Sequence, residues 1–309
     1  MRIWSPTKIT ASVPAKERND ESCILYGFVP PMLRVQYQPN TAARIPPTAN
    51  PEKAPYKRKI KIRSYAEAVG ELTKNYKTIA VSGSHGKSTT TALAALVLEE
   101  GYFDPTVIVG TKIKEFSDSN FRSGRGKYLV LEADEWNKSF LNYFPQIAVV
   151  TNIDEEHLDT YKNVATVEKT FQKYLSKIPK DGVIVANADD LRLKKVAQKF
   201  GEKVHWYSLK DREVPMLRKI LKITGEHNVS NALAALKLGR LLGMHEPDIL
   251  RALSRFEGAW RRFELKGLVN GAFIFSDYGH HPREIQATIA AARERFPFRR
   301  IWCVYQPHQ

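Results

Sequence analysis

Residues 78–101 read TIAVSGSHGKSTTTALAALVLEEG, and this stretch predicts the fold class. TIAVS is an unbroken run of apolar and β-branched residues, which is typical of a strand covered on both faces. A turn that contains glycine follows it, and TTTALAALVLEE then has the composition of a helix, with Gly101 placed to end it. A buried strand, a turn and a helix form the repeating unit of a parallel α/β sheet.

The alternation of strand and helix continues to residue 255. Further β-rich runs and helical periods are separated by turns along this part of the chain. The strands are TVIVG (106–110), YLVLEAD (128–134), QIAVVTN (146–152) and GVIVAN (182–187), and the helices span 164–178, 191–200, 229–242 and 247–255. We therefore predict a parallel-sheet α/β domain over residues 78–255.

After Phe256 the pattern changes. FELKGLVNGAFIFSDY (263–278) predicts a hairpin with its turn at Asn270-Gly271. A helix over 282–295 and a strand RIWCVY (300–305) are predicted to follow. Residues 256–309 are thus interpreted as the start of a second α/β domain.

The turn GSHGKS (83–88) has the arrangement of a phosphate-binding loop. It lies between a buried strand and a helix N-terminus, where backbone N–H groups and the helix dipole both favour an anion. Lys87 would contact the β- and γ-phosphates, and the Ser88 hydroxyl would bind Mg²⁺. The alternative is a chance glycine turn, which the flanking strand and helix disfavour. The predicted nucleotide-binding residues here are Gly83, Ser84, His85, Gly86, Lys87, Ser88 and Thr89.

Acidic residues follow the YLVL strand at the edge of the predicted sheet where parallel α/β proteins bind ligands. They are Glu132, Asp134 and Glu135. Taken singly, such residues are usually solvated loop residues. A carboxylate in this place can also hold a second Mg²⁺ or orient a water on the first.

The segment TNIDEEHLDTY (151–161) follows the next buried strand and changes that balance. One turn of chain here carries Asn152, Asp154, His157 and Asp159, which could converge on the phosphates. A histidine alone is more often a surface residue than a ligand. Because this histidine occurs together with a phosphate loop and Glu132, a metal role is favoured. We predict a metal site formed by Ser88, Glu132 and His157.

The first quarter of the chain differs in composition from the rest. Nine of the 17 prolines lie within residues 1–55, and residues 1–77 hold 14 Lys/Arg against 6 Asp/Glu, so 8 of the 15 excess positive charges lie there. A nucleic-acid or membrane arm could be basic in this way. No aromatic–basic alternation or amphipathic period organises the segment, so we prefer a solvated leader and predict no nucleic acid or membrane partner. Residues 56–77 then predict a short strand at Lys59–Ile62 and a helix through Tyr65–Leu72.

The cellular compartment is indicated by cysteine usage and by apolar runs. Cys23 and Cys303 are the only cysteines, too few for a disulfide framework or a zinc site. No apolar run approaches the roughly 20 residues that span a bilayer, and the N-terminus lacks the apolar core of a signal peptide. We expect a cytoplasmic protein.

These segments together resemble the Mur ligase family, over about residues 56–309. Val81 stands where the common Walker loop has its first glycine, and the shorter G-x-x-G-K-[ST] form is characteristic of Mur ligases and folylpolyglutamate synthetases. TNIDEEHLDTY resembles the family signature TNxxxDHLDxY, in which the histidine binds the second magnesium. GEHNVSNALAAL (225–236) is similar to the family's G-x-H-N-x-x-N helix start, which implies that Asn228 and Asn231 lie near the adenine.

Two later segments extend the resemblance. FEGAWRRFE (256–264) is similar to the F-x-G-x-x-R-R-F-E junction, which implies that Arg261 and Arg262 contact the ATP phosphates or ribose. SDYGHHPREI (276–285) resembles the D-D-Y-G-H-H-P of the L-alanine-adding members, with Ser276 in place of the first aspartate. The likeness implies nucleotide contacts from Asp277 and Tyr278. His280 and His281 are candidates for the amino-acid end of the site.

The resemblance implies a fold and a reaction. The fold is a P-loop-type central domain followed by a Rossmann-like C-terminal domain. In the family, Mg²⁺-ATP phosphorylates the lactyl carboxylate of UDP-N-acetylmuramate, and the amine of L-alanine then attacks the acyl phosphate. ATP and Mg²⁺ are thus the implied cofactors, and UDP-N-acetylmuramate and L-alanine the implied substrates. The implied catalytic residues are Lys87, Glu132, His157 and His280.

The family's three-domain plan is not fully matched. Residues 1–77 contain only Gly27 and Gly70, so the glycine-rich loop that binds UDP is absent, and Gln309 stands where the family has an arginine. We expect a truncated chain with poor or no ligase activity. Its predicted parts are a leader (1–55), a remnant of the UDP-binding domain (56–77), the ATP-binding domain (78–255) and a truncated ligase domain (256–309).

Two other functions stay open from the sequence. One is a related amide ligase, either a muropeptide ligase, which Tyr278-Gly279 disfavours, or a folylpolyglutamate synthetase, which HGKSTTT disfavours. The other is a non-catalytic module that binds ATP or a partner protein.

Overall fold

The computed structural model describes residues 62–306, apart from the side chains of Leu158 and Asp159, and within them seven strands form one sheet. The strands are β1 Lys77–Ser82, β2 Thr106–Ile113, β3 Ser119–Arg122, β4 Tyr128–Glu132, β5 Ile147–Val150, β6 Val183–Asn187 and β7 Val204–Tyr207. Their order in the sheet is β3-β2-β4-β1-β5-β6-β7. All neighbours pair in parallel except β3, which is antiparallel to β2 at one edge.

Nine α-helices accompany the sheet in the described part of the chain. They are α1 Tyr65–Thr73, α2 Lys87–Glu100, α3 Leu158–Tyr161, α4 Val164–Leu175, α5 Leu191–Ala197, α6 Val214–Ile220, α7 Glu226–Leu241, α8 Glu246–Arg255 and α9 Pro282–Arg295. Short 3₁₀ segments occur at Lys114–Phe116, Trp136–Asn142 and Gln198–Lys203. A two-stranded hairpin, β8 Glu264–Val269 and β9 Ala272–Ser276, lies between α8 and α9.

The central strand β1 sets the position of the candidate site. In the parallel register Val81 of β1 is opposite Glu132 of β4, and Ser82 is opposite Val150 of β5. The turns after these three strands therefore leave the sheet side by side, at the edge where such sheets bind ligands.

Helix α2 is buried over most of its length. Its residues from Ser88 to Leu98 are small or apolar and buried, and charge returns only at Glu99. A helix that is apolar on all sides belongs inside a protein. It packs against α7 and α8 and also against the sheet. These contacts fix the position of its N-terminus and of the turn that precedes it.

The predicted strands of the central domain are confirmed, as is the parallel-sheet α/β class. Every predicted helix of this domain is also present, with ends that differ by a few residues. The prediction missed β3, β7, α3 and α6. These elements are only 4, 4, 4 and 7 residues long, too short for periodicity to distinguish them from loops.

The C-terminal part agrees with the prediction except at its end. The hairpin has its turn at Asn270-Gly271, both with left-handed φ (49° and 80°), and α9 spans the predicted residues 282–295. The prediction of a strand over RIWCVY is wrong, since residues 301–306 have no regular structure. The side chains of Trp302 and Val304 are exposed, and no described strand lies beside them to supply ladder hydrogen bonds.

At the other end of the described region, α1 confirms the helix predicted over Tyr65–Leu72. The strand predicted at Lys59–Ile62 lies outside the described residues, apart from Ile62, which is not in a strand. Within residues 62–306, no helix combines the length and the apolar character needed to cross a membrane.

Candidate functional site

The turn between β1 and α2 has the backbone of an anion site. Gly83 and Gly86 have left-handed φ values of 136° and 81°. Gly86 is the N-cap of α2, and among the described residues no side chain caps this helix. The first N–H groups of a helix have no partner inside it, and the helix dipole adds positive potential there. The backbone here thus fits a phosphate group.

Thr151 and Asn152, which directly follow β5, hold the loop in shape through hydrogen bonds to His85. The amide N–H of His85 donates to Asn152 Oδ1 at 2.9 Å. The carbonyl oxygen of His85 accepts from Asn152 Nδ2 at 3.0 Å and from Thr151 Oγ1 at 2.6 Å. Asn152 was expected to converge on the phosphates, but its side chain is used to fix the loop.

Gly83 leaves no room for a side chain. A Cβ built there would lie 2.0 Å from Thr151 Oγ1. We predict that Gly83→Ala lowers the free energy of unfolding by roughly 3 kcal/mol, from left-handed strain plus a displaced Thr151. Urea denaturation would measure this loss. The matched control is Gly243→Ala, which shares the left-handed φ (75°) but has open space around the Cβ, so it should cost less than half as much. Equal losses in the two variants would contradict the prediction.

Lys87, the first residue of α2, is turned toward a buried carboxylate. Its Nζ lies 2.9 Å from Glu135 Oε2, 3.1 Å from the carbonyl oxygen of Ser84 and 3.7 Å from Asp134 Oδ1. Burial alone would lower the pKa of Lys87, but the facing carboxylates, chiefly Glu135, raise it above the ordinary lysine value. Lys87 is therefore a charged ammonium group beside the loop.

Ser88 and Glu132 form a pair of oxygen donors at the same helix end. Ser88 Oγ donates to Glu132 Oε1 at 3.0 Å, and the amide of Gly110 donates to Glu132 Oε2 at 2.5 Å. Burial raises the pKa of Glu132. The hydrogen bonds from Gly110 and Ser88 and the charge of Lys87 offset part of this rise. Hydroxyl and carboxylate oxygens are the ligands that Mg²⁺ prefers. The donor chemistry thus fits Mg²⁺ next to the phosphate loop.

His157 lies with two acidic residues that follow β4, Asp134 and Glu135. One ligand atom from each of Asp134, Glu135 and His157 lies within 4.8 Å of the others, and His157 Nε2 is 3.6 Å from Glu135 Oε1. The φ of His157 is 56°, an uncommon value for a residue other than glycine and one that occurs at functional sites. Burial raises the pKa of Glu135 to about 7 against the effect of Lys87. His157 thus lies with Asp134 and Glu135, and Lys87 also contacts Glu135.

A cavity of about 340 Å³ opens beside the loop, a size typical of ligand pockets. The loop, the N-terminus of α7, the 256–263 junction and α9 enclose it. Its polar and charged lining includes His85, Ser88, Thr89, Thr151, Asn152, Asn187, His227, Asn228, Ser230, Asn231, Arg262, Asp277, Arg283, Glu284 and Thr288, and its apolar lining includes Leu209, Ile223, Phe256 and Phe263.

Several predicted nucleotide residues line this cavity. Asn228, Asn231, Arg262 and Asp277 do so, and a Cβ at Gly86 would lie 2.5 Å from Asn231 Oδ1, so α7 and the loop are in close contact. Asp277 also accepts from the amides of Phe263 and Gly279, both at 2.7 Å.

Arg261 and Tyr278 were predicted with that group but are placed differently. Neither side chain is among the described residues that line the cavity. The Arg261 guanidinium lies over the rings of Trp260 (5.5 Å) and Tyr278 (4.9 Å). They form a stacked cluster beside the cavity.

A third polar group joins the loop to the start of α9. His85 Nε2 is 3.0 Å from Asp154 Oδ2, and its Nδ1 is 3.4 Å from Glu284 Oε1. His280 Nε2 lies 3.8 Å from Glu156 Oε1, and His281 Nδ1 lies 4.0 Å from Asp154 Oδ2.

This group resembles a metal site in composition, since one atom each of His85, Asp154 and His281 lies within 4.8 Å of the others. Arg192 and Arg283, however, contact the Asp154 carboxylate at 3.0 and 3.2 Å. Two guanidinium groups already neutralise the only carboxylate of the set, which disfavours a cation there.

Sequence reasoning did not identify Glu284 or Arg283. The signal for Glu284 was available, because a glutamate three residues after the N-cap His281 forms a capping box. The capping box uses only one carboxylate oxygen of Glu284. The contact of the other oxygen with His85 is visible only in the folded chain.

Comparisons with known proteins identify a family that this chain matches. Residues 81–220 match the family description "Mur ligase middle domain", and residues 261–309 match "Mur ligase, glutamate ligase domain". The UDP-N-acetylmuramate–L-alanine ligase of Alkaliphilus metalliredigens is 37% identical over 273 residues, covering 81% of this chain and 59% of that enzyme. The one from Salinibacter ruber is 38% identical over 290 residues, covering 86% and 61%. The chain thus spans about three fifths of the length of these relatives.

Solved structures show the same fold. The UDP-N-acetylmuramate–alanine ligase of Thermotoga maritima superposes with a TM-score of 0.66 at 26% identity, covering 81% of this chain and 63% of that one. A murein peptide ligase from Psychrobacter arcticus gives 0.64 at 23% identity, covering 86% and 65%.

Proposed function

The chain belongs to the Mur ligase family, and from this we propose that it carries the ATP-binding site of an ADP-forming ligase that joins L-alanine to UDP-N-acetylmuramate. The observation that carries the proposal is the uncapped N-terminus of α2, where Lys87 and the Ser88–Glu132 pair meet beside a cavity of about 340 Å³.

The nucleotide would occupy the cavity with its phosphates at the loop. Asn228 and Asn231 are buried at the start of α7 and offer amide groups to a base. Arg262 lines the same space and supplies positive charge for phosphate oxygens. The aliphatic and aromatic side chains of Leu209, Ile223 and Phe256 complete an apolar wall of the kind that accepts a flat ring.

The proposed reaction brings two anions together, a carboxylate and a triphosphate. Their repulsion is the main physical barrier to approach, so positive charge and hydrogen-bond donors must be fixed in advance. We assign Lys87 and the amides of the loop to that task, with Ser88 and Glu132 as ligands of a Mg²⁺ ion. Mg²⁺ in this place would neutralise phosphate charge. His157, with Asp134 and Glu135, offers a second position for a cation.

His280 lies just before the start of α9. Its ring is near Glu156 and beside the backbone of Tyr278. We propose that it faces the amino-acid substrate, consistent with the likeness of residues 276–282 to the L-alanine-adding members. An ATP-consuming enzyme with two cysteines in the whole chain is expected in the cytoplasm.

Measuring ADP release by the full chain tests the proposed function. We expect ADP release to be slow, in keeping with the poor ligase activity predicted for this chain, and to occur only when Mg²⁺-ATP, UDP-N-acetylmuramate and L-alanine are all present. Replacing L-alanine by the tripeptide L-alanyl-γ-D-glutamyl-meso-diaminopimelate separates this activity from that of a muropeptide ligase. Nucleotide binding without turnover on any of these substrates would identify a non-catalytic module and refute the proposal.

A further inference from the structure

We propose that His85 is a positioning residue, which as an imidazolium holds the N-terminus of α9 against the phosphate loop and so closes one wall of the nucleotide cavity. The inference deepens the proposed function and rests on it for the identity of the ligand. We call His85, Asp154 and Glu284 together the His85 tether.

His85 extends from the phosphate loop to the start of α9. The peptide of His85 is fixed by Asn152 and Thr151, so its backbone is part of the rigid loop. Its ring extends away from the loop and contacts the ring of His281 at 4.9 Å between centroids. His85 is thus the side chain of the loop that reaches α9, while His85 and Glu284 both line the cavity.

The surroundings of the His85 ring are negatively charged. Both ring nitrogens of His85 face carboxylates, Asp154 at 3.0 Å on one side and Glu284 at 3.4 Å on the other. A neutral imidazole has one N–H and one lone pair, so it would point the lone pair at one of these anions. Burial by itself lowers the pKa of His85, but Glu284, Glu156 and Asp154 raise it above the ordinary value. The doubly protonated ring fits this environment.

Glu284 uses its two carboxylate oxygens for different contacts. Its Oε2 accepts from the amides of His280 and His281, which caps α9. Its Oε1 faces His85 and Arg262, the latter at 3.8 Å. Burial would raise the pKa of Glu284, but His85 and Arg262 lower it to about 2. One carboxylate therefore joins the loop, the arginine of the cavity and the helix end.

Other charged groups surround the tether. Glu156 lies 3.8 Å from His85 Nδ1, Arg192 of α5 and Arg283 of α9 contact Asp154, and His280 and His281 lie beside these acids. These contacts between the start of α9 and the loop region are thus polar and charged. Such a contact depends on protonation and on salt.

The direction of the pH effect follows from the raised pKa of His85. The tether is complete below the unfolded-state value of about 6.5 and is lost as the pH rises through the higher folded-state value. Glu284 stays ionised throughout this range because its pKa is lowered.

The test measures the affinity of the full chain for the fluorescent nucleotide mant-ATP with Mg²⁺, at about pH 6 and about pH 9. We expect His85→Gln to weaken binding about fivefold at the lower pH and to match the wild type at the higher pH. His245→Gln, which alters an exposed histidine outside the site, is the matched control and should change neither value.

Glu284→Gln separates the tether from a direct effect of His85 on phosphate. Glutamine keeps the cap of α9 but removes the charge that faces His85. If the tether acts, Glu284→Gln weakens binding at about pH 6, as His85→Gln does. If His85⁺ instead acts directly on the nucleotide, removing the nearby anion tightens binding, and that result would overturn the proposal.

Hydrogen exchange keeps this test independent of the proposed function. Without nucleotide, residues 280–290 should exchange faster in His85→Gln than in the wild type at about pH 6, and equally fast at about pH 9. Equal rates at both pH values would overturn the tether. If the exchange rates of the two chains differ in this way but the wild type does not bind mant-ATP, the tether stands and only the proposed function is contradicted.

Discussion

Lys87→Met is expected to reduce nucleotide-dependent turnover by about a thousandfold, the range found when a charge that faces transferring phosphate is removed. Methionine is similar in length and removes only the ammonium group. The same variant should lose about 3 kcal/mol of stability, because Glu135, only 1% exposed, is left without its cation next to Asp134. ADP release and urea denaturation measure the two effects.

The double variant Lys87→Met/Glu135→Gln distinguishes these effects. Glutamine at 135 removes the buried charge, so most of the lost stability should return. Turnover should stay at the level of Lys87→Met, because the ammonium group is still missing. If turnover recovered together with stability, Lys87 would be a structural residue and its proposed role at the phosphates would be wrong.

Glu132→Gln is expected to lower Mg²⁺-supported turnover by at least about a hundredfold. The carboxylate accepts from Ser88 and from Gly110 with different oxygens. An amide has one acceptor oxygen, so its NH₂ group must face one of these donors, and the negative charge that binds Mg²⁺ is gone. A titration of ADP release against Mg²⁺ concentration shows whether the loss comes from weaker metal binding.

Ser88 supplies the companion variants for this experiment. Ser88→Ala should shift the Mg²⁺ titration in the same direction as Glu132→Gln, whereas Ser88→Thr retains a hydroxyl and should stay near the wild type. An unchanged Mg²⁺ requirement in both Glu132→Gln and Ser88→Ala would argue against a metal at this pair.

Much of the site could be predicted because its positions follow from local sequence. A glycine turn between a buried strand and a helix must present amides at the helix end, so Gly83, Gly86 and Ser88 were recognisable without any tertiary information. The acidic residues after β4 were predictable for a related reason, since parallel strands end at one edge. These predictions needed only the period of the strands and the order of turns.

The remaining features depend on how side chains meet across the fold. Lys87 contacts Glu135, 48 residues away, and His85 faces Glu284, almost 200 residues away. No periodicity encodes such distances. The grouping of His157 with Asp134 and Glu135 is a further contact of this kind, and the left-handed backbone at His157 has no glycine in the sequence as a signal. The absence of a strand at 301–306 reflects a missing neighbour, which no local pattern reveals.

The hydrogen bonds from Thr151 and Asn152 to the peptide of His85 have a thermodynamic consequence. A loop that must become ordered around its ligand loses conformational entropy on binding, and affinity falls accordingly. Here β5 orders the loop when the sheet forms, before any nucleotide arrives. The preorganised loop is therefore expected to accept phosphate with little entropic penalty.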